Sequence, residues 1–451
     1  MNKSEELKFW VEKVEKTANR LGLSFYQQEF YVIAKQKMIE MMAYHGGYPL
    51  YPHWSFGKSL KIGKILYEKN YFFLPYEIVI NTNPCRAFLL ESNPLFYNIL
   101  VAAHVYGHND FFKNNGVFKD TRPGWILEEM EKYRLKIRKF VNDRKIGIEK
   151  VEKTIDAAHA MMFIQTDVNF YDFLIENGTR LEPWQKETLA AVKIIDGHLR
   201  PNIRTKIINE GWATYWHWRI IEELKNSLSF DDYFKMRMAH LRVIRPPQNP
   251  KIMNPYRVGF LLWKKIAEES GEAAIFKIRK EFADFEFLLT YFNNNGDFIY
   301  VNFVKPGLES LAAEIARLTE EQRKAVMEMF GLVVGKDGNL AVLPEQRELQ
   351  VLECRDKILE SRGENMMPRF EISLEAGKLM KEDFLNLKHK YDGRPLDIRE
   401  SLEVLKLIQA LWRDPVVLET SSEEQKGLYK NLKTLRFICR GGQIFTKVKD
   451  K

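Results

Sequence analysis

Ala103-His104-Val105-Tyr106-Gly107-His108-Asn109-Asp110 is the stretch on which the reading of this chain turns. Upstream, Asn93-Pro94 has the form of an N-cap followed by proline at the first helical position, and downstream stands Gly116. The pattern predicts a helix from there to about Asn115. On such a helix His104 and His108 project from one face, one turn apart, so both imidazoles can reach a single metal ion. Gly107 lowers helix stability by about 1 kcal/mol relative to alanine. A glycine inside a helix often marks close approach by another helix or a ligand.

A metal site needs further donors, and the richest source is Asn209-Glu210-Gly211-Trp212-Ala213-Thr214-Tyr215-Trp216-His217. Glu210, Thr214 and His217 fall on one helical face, and Glu210 keeps apolar and aromatic company in which an unpaired carboxylate is expensive. A His-x-x-x-His helix followed by a helix carrying Asn-Glu-Gly-x-Ala resembles the gluzincin metallopeptidases. That resemblance implies His104, His108 and Glu210 as ligands to zinc or another divalent ion, with a fourth position left for water. One position departs from it. The glutamate that follows the first histidine in His-Glu-x-x-His acts as general base, and here it is Val105. Either another carboxylate substitutes, Glu91 and Asp110 being nearest in sequence, or the site binds metal without hydrolysing peptides. His217, His159, His240 and Asp110 are candidates for an additional ligand or for partners behind the ligands. His217, His159 on its apolar segment Ala157-Ala158-His159-Ala160-Met161-Met162, His240 and His53 read equally as hydrogen-bonded core histidines. The aromatic run Trp212, Tyr215, Trp216, Trp218 reads as packing.

Outward from these two segments the chain is mainly helical. Apolar residues from Leu7 to Leu21 recur at helical spacing, and further helices are expected over 28–45, 125–141, 149–165, 183–197, 204–225 and 254–283. Residues 51–58 read as an irregular aromatic stretch, 76–81 as a short strand closed by Asn83-Pro84, and 293–296 as a turn. Alternation in Asp297-Phe298-Ile299-Tyr300-Val301-Asn302-Phe303 and in Phe370-Glu371-Ile372-Ser373-Leu374 predicts strands. The expected architecture is a large helical domain over 1–285 carrying a gluzincin-like two-helix site, followed by a smaller α+β domain over 286–451.

The 451 residues, 45% hydrophobic and 29% charged, suffice for a large core and for two domains. The net charge of +8 is spread along the chain and interleaved with acids, as in Glu128-Glu129-Met130-Glu131-Lys132-Tyr133-Arg134, so it predicts solvated helix faces and no nucleic-acid partner. Three distant cysteines, Cys85, Cys354 and Cys439, form no CxxC pair or disulfide framework, as expected in a reducing compartment. The first residues lack the apolar core of a signal peptide, and no stretch approaches the roughly 18 apolar residues of a membrane span. The expected location is the cytoplasm, with no membrane contact. Phosphate-binding glycine loops and the GxSxG elbow are missing, and Cys85 has no local nucleophile signature.

A wider resemblance joins these segments. Tyr51-Pro52-His53-Trp54-Ser55-Phe56-Gly57-Lys58, Tyr76-Glu77-Ile78-Val79-Ile80-Asn81-Thr82-Asn83-Pro84, the Tyr-Gly-His and Phe-Phe-Lys-Asn-Asn of 104–115, Ile207-Ile208-Asn209-Glu210-Gly211-Trp212-Ala213 and Asn254-Pro255-Tyr256 occur in the order found in the SpoVR (stage V sporulation protein R) family. Dispersed similarity continues to Leu411-Trp412-Arg413-Asp414-Pro415. The resemblance implies a cytoplasmic bacterial protein linked, in endospore formers, to spore cortex formation. In other bacteria it implies a stress or stationary-phase role beside an AAA+ serine kinase and an associated protein. It names a process and leaves the reaction open: a metal-dependent hydrolase on one reading, a non-catalytic regulatory or scaffold protein on the other.

Overall fold

The computed structural model describes residues 3–449 except 69–76, 247–252, 293–295, 305–318, 330–331, 335–339, 343, 361–366, 376–382 and 427–428. In chain order the first elements are α1 (Lys3–Arg20), β1 (Gln28–Ile33), α2 (Lys35–Ala43), α3 (Trp54–Glu68), β2 (Glu77–Ile80), β3 (Cys85–Leu90) and α4 (Leu95–Asn114). They are followed by α5 (Ile126–Asn142), α6 (Gly147–Met161), β4 (Gln165–Thr166), α7 (Phe170–Asn177), α8 (Pro183–Arg204), α9 (Lys206–Leu224), α10 (Phe230–Val243), α11 (Pro255–Ser270), α12 (Glu272–Glu281) and α13 (Asp284–Tyr291). The remainder comprises α14 (Gly296–Ile299), α15 (Glu320–Met329), β5 (Leu332–Val334), β6 (Leu340–Val342), α16 (Pro344–Glu360), β7 (Arg369–Glu375), β8 (Phe384–His389), α17 (Ile398–Trp412), β9 (Val416–Lys426), β10 (Tyr429–Arg440) and β11 (Gln443–Lys449). The protein is mainly helical, with most strand residues near the C-terminus, as the sequence predicts.

Contacts divide the chain into two interleaved units. One is built from Met1–Met38, Leu74–Gly124 and Arg200–Met366, the other from Ile39–Phe73, Trp125–Leu199 and Met367–Lys451. Residue 285, where a boundary is expected, lies within the first unit and inside α13.

In the first unit α4 and α9 form the centre. Both are buried on nearly all sides, and residues 98–112 of α4 are buried without interruption. The aromatic run of α9 is core: Trp212 and Trp216 are fully buried and pack with Trp263, Phe276 and each other. A three-stranded sheet of order β1-β3-β2 lies against α4, with β1 parallel and β2 antiparallel to β3. Ala87 and Leu89 of this sheet pack against Val101 and Val105, with Val79 alongside. The second unit holds α5, α6, α7 and α17 and a six-stranded sheet of order β11-β10-β9-β8-β7-β4.

Several elements differ from expectation. Residues 28–45 are a strand followed by a helix, because the aromatic and β-branched run Phe30-Tyr31-Val32-Ile33 pairs with Ala87 to Leu90. Helix α3 begins within the stretch expected to be irregular. The long helix expected over 254–283 is two helices, parted at Gly271. The alternating segment 297–303 is helical: Phe303 packs on Phe292 and Phe298, Asn302 Nδ2 donates to the Phe298 carbonyl, and Arg257 donates to the Asn302 carbonyl. Helix α4 starts one residue later than the cap pattern suggests, since Asn93 Nδ2 donates to Asn98 Oδ1 and Pro94 takes the cap position. Strands β2 and β7 agree with expectation, as does the helical pair α4 and α9; Asn293 to Asn295 of the expected turn lie outside the described residues.

Candidate metal centre

Helix α9 is brought to α4 by close backbone contact. A Cβ on Gly107 would lie 2.6 Å from Ala213 Cα, and a Cβ on Gly211 would lie 2.3 Å from Gly259 Cα on α11. Glycine at these crossings lets the backbones meet directly. The start of α9 is held by a distant carboxylate: Asp284 Oδ2 accepts from Ile207 N at 2.9 Å and Oδ1 from Ile208 N at 2.8 Å. Thr205, the N-cap residue, makes no side-chain cap, so Asp284 takes that role and complements the helix dipole.

This crossing brings together the three donors named from sequence. His104 Nε2 lies 3.6 Å and His108 Nε2 3.4 Å from Glu210 Oε2, and the three donor atoms fall within 4.8 Å of one another. All three residues are buried. His104 Nε2 and Glu210 Oε2 are buried without a hydrogen-bond partner. Buried polar atoms normally have partners, so two such atoms facing each other mark a place where a cation fits. Two imidazole nitrogens and one carboxylate oxygen form the donor set of a catalytic zinc site.

The far sides of both rings are engaged. His108 Nδ1 lies 2.9 Å from Asn209 Oδ1, a carbonyl oxygen that can only accept, so Nδ1 carries the proton and the neutral ring presents its Nε2 lone pair to the centre. His104 Nδ1 lies 3.0 Å from His217 Nδ1, and His217 Nε2 lies 2.7 Å from His240 Nδ1. His217 and His240 thus stand in file behind His104. Burial first, then the neighbouring rings of His240, His104 and His108, hold His217 well below its usual pKa. Burial, with Arg237 as the next cause, takes His240 down to about 4.

Glu210 is an anion despite its burial. Desolvation pushes its pKa up, but the Lys206 ammonium and the two nearby imidazoles together hold it well below the carboxylate range. Lys206, one turn earlier on α9, forms an ion pair with Glu210 Oε1 and leaves Oε2 to the histidines. For His108, burial lowers the pKa, yet the charge of the nearby Glu210, with Asn209 and Glu77, outweighs it and the shift is upward.

Other candidates lie elsewhere. Asp110 is turned from the cluster: its Oδ2 accepts from Trp212 Nε1 at 2.8 Å and pairs with the Arg279 guanidinium, while its Oδ1 accepts from Ser24 N at 2.7 Å. Glu91 is exposed at the end of β3. His159 belongs to the second unit, where its Nε2 meets Tyr51 OH at 2.6 Å. His53, in the same unit, has Nδ1 2.7 Å from Ser55 Oγ. His159 behaves as the satisfied histidine that one sequence reading describes, whereas His53 Nε2 is buried without a hydrogen-bond partner, 3.2 Å from Asp156 Oδ1.

Sequence reasoning missed three groups. Glu77, at the start of β2, has Oε1 4.0 Å from His104 Nε2 with its side chain only 18% exposed, and burial raises its pKa. Tyr256, in the first turn of α11, stacks its ring on His104 at 6.0 Å, and the charge of Glu210 raises its pKa well above the ordinary value. Lys206 is the third. Glu77 and Tyr256 sit in the quoted segments Tyr76-Glu77-Ile78 and Asn254-Pro255-Tyr256, and Lys206 is legible as the cation four residues before Glu210.

The family description "SpoVR like protein" matches over residues 2–172 and 163–295. An uncharacterized protein of Escherichia coli (strain K12), YcgB, is 26% identical over 490 residues, covering 93% of this chain and 92% of its own. No solved structure matches. No helix among the described residues is long and apolar enough to cross a membrane. With the family model matching well over half of its length, on both helices that carry the donors, the chain belongs to the SpoVR-like proteins.

Proposed function

We propose that the chain holds a divalent cation between His104, His108 and Glu210, and that this centre hydrolyses an amide-type bond. The observation that carries the reading is the pair of partnerless buried atoms, His104 Nε2 and Glu210 Oε2, facing each other beside His108 Nε2. Zinc is the ion whose usual donor set this is. A cation there supplies Lewis acidity and lowers the pKa of a coordinated water. Asn209 fixes the tautomer of His108, His217 and His240 orient His104, and Tyr256 offers a phenol at the edge of the site. The family resemblance supports a setting in spore cortex formation, or in stress physiology where the organism forms no spores. Elemental analysis of the purified protein tests the metal reading: wild type is expected to carry about one equivalent of a divalent metal and the double variant His104→Ala, His108→Ala almost none. Equal, negligible contents would sink it.

A second reading is favoured by Val105 and by an exposed apolar stripe on α10, Phe230, Phe234, Met238 and Leu241. Here the protein is a regulatory partner of an AAA+ serine kinase and its associated protein, and the site is structural. Turnover of a peptide or cell-wall amide that is abolished in a folded Glu210→Gln variant would exclude this alternative.

A further inference from the structure

The position that a glutamate occupies in the His-Glu-x-x-His motif is Val105, fully buried and packed against Ala87, Leu89 and Val101. No proton acceptor can act from there. The sheet that covers Val105 nevertheless brings a carboxylate of its own. Residues two apart on a strand share a face, so Glu77 projects to the side of β2 on which Val79 meets this cluster. Its Oε1 stands 4.0 Å from His104 Nε2, the nitrogen that also faces Glu210 Oε2 at 3.6 Å. Glu77 therefore approaches the donor side of the ring and not its back, which His217 occupies. It is not one of the three donors that converge within 4.8 Å. A carboxylate on the donor side but outside the donor set is placed to meet a reactant held at the centre.

We propose that Glu77 is the proton acceptor of this site, delivered by a strand in place of the glutamate that the His104 helix lacks. The proposal rests on the metal reading above. In the step assigned to it, a Glu77 oxygen takes one proton from the attacking water as the water oxygen bonds to the amide carbon. The carbon–nitrogen bond then breaks, and the same oxygen returns that proton to the leaving nitrogen, so the carboxylate ends unchanged. General-base groups of this kind must lie within hydrogen-bond reach of the reacting water in the bound state and contribute roughly 100- to 10,000-fold.

The test uses the full chain, cleared of metal and reconstituted with Co2+ alone, with acetohydroxamate as the probe, because a hydroxamate occupies the place of the reacting water and offers a proton to a neighbouring carboxylate. Cobalt stoichiometry and the visible spectrum are read for wild type, Glu77→Gln, Glu77→Asp and Glu210→Gln. Glu77→Gln is expected to take up Co2+ as wild type does yet bind acetohydroxamate about tenfold more weakly or worse. Glu77→Asp should recover part of the affinity, and Glu210→Gln should lose the metal. Loss of Co2+ from a folded Glu77→Gln would make Glu77 a ligand and overturn the assignment, as would unchanged hydroxamate affinity. Failure of wild type to take up Co2+ would instead remove the metal reading itself, and this proposal with it.

Discussion

Gly107 of α4 and Ala213 of α9 touch backbone to backbone: a Cβ on Gly107 would come within 2.6 Å of Ala213 Cα and 3.2 Å of its Cβ. This contact lies between His104 and His108 on one helix and beside Glu210 on the other. Alanine at position 107 is the better helix former, but the clash is with backbone and cannot be relieved by turning a side chain. Gly107→Ala should therefore lower unfolding stability by about 1–3 kcal/mol and weaken metal uptake. Urea unfolding and metal titration of the same preparation measure both; a more stable variant would contradict the packing described.

Asn209 acts on His108 alone, through the 2.9 Å contact at Nδ1. Partners of this type typically contribute about 10- to 100-fold in metal affinity. Asn209→Ala should keep the fold and bind Zn2+ more weakly by about that factor in competition with a chromogenic chelator. Affinity equal to wild type would show that the ring needs no such support.

Asp110 separates structure from chemistry. It is fully buried with Arg279, whose guanidinium also stacks near Trp212 and Phe276. Removing one member of a buried pair strands the other, at about 3–5 kcal/mol. Asp110→Ala should thus be strongly destabilised in thermal unfolding, whereas the fraction still folded should bind metal in normal stoichiometry. Selective loss of metal from a stable variant would return Asp110 to the site.

Acid sensitivity follows from two rings held neutral. Burial, then His53 and His45, takes His159 down to about 4, and burial with Arg237 does the same for His240. Unfolded, each ring accepts a proton near 6.5; folded, only near 4. Their contribution is therefore intact above pH 6.5 and is lost as pH falls from there to about 4, by roughly 3 kcal/mol per ring. Urea midpoints against pH should decline less steeply in His159→Gln and in His240→Gln than in wild type. Identical slopes would mean that these rings do not titrate as described.

The convergence of His104, His108 and Glu210 was legible because each position rests on local geometry. Histidines at i and i+4 must share a helix face, and a glutamate among apolar and aromatic neighbours needs a partner. Asp110 misleads for the same reason. Two positions beyond His108 on a helix is about 200° around the axis, so nearness in sequence places it on the far side, where Arg279 meets it. Glu77 was not legible as a site residue, since only strand pairing with β3 sets its direction. The helical form of 297–303 was hidden because its alternation serves aromatic packing and not a sheet.

The cap that Asp284 places on α9 also sets an order of events during synthesis. Glu77, His104 and His108 leave the ribosome early, Lys206 and Glu210 about a hundred residues later, and the carboxylate that fixes the first turn of their helix later still. Until then α4, buried on almost every side in the finished fold, has only part of its covering. A nascent chain shorter than 284 residues should therefore depend on chaperones and be unable to retain a cation, however complete its donors are on paper.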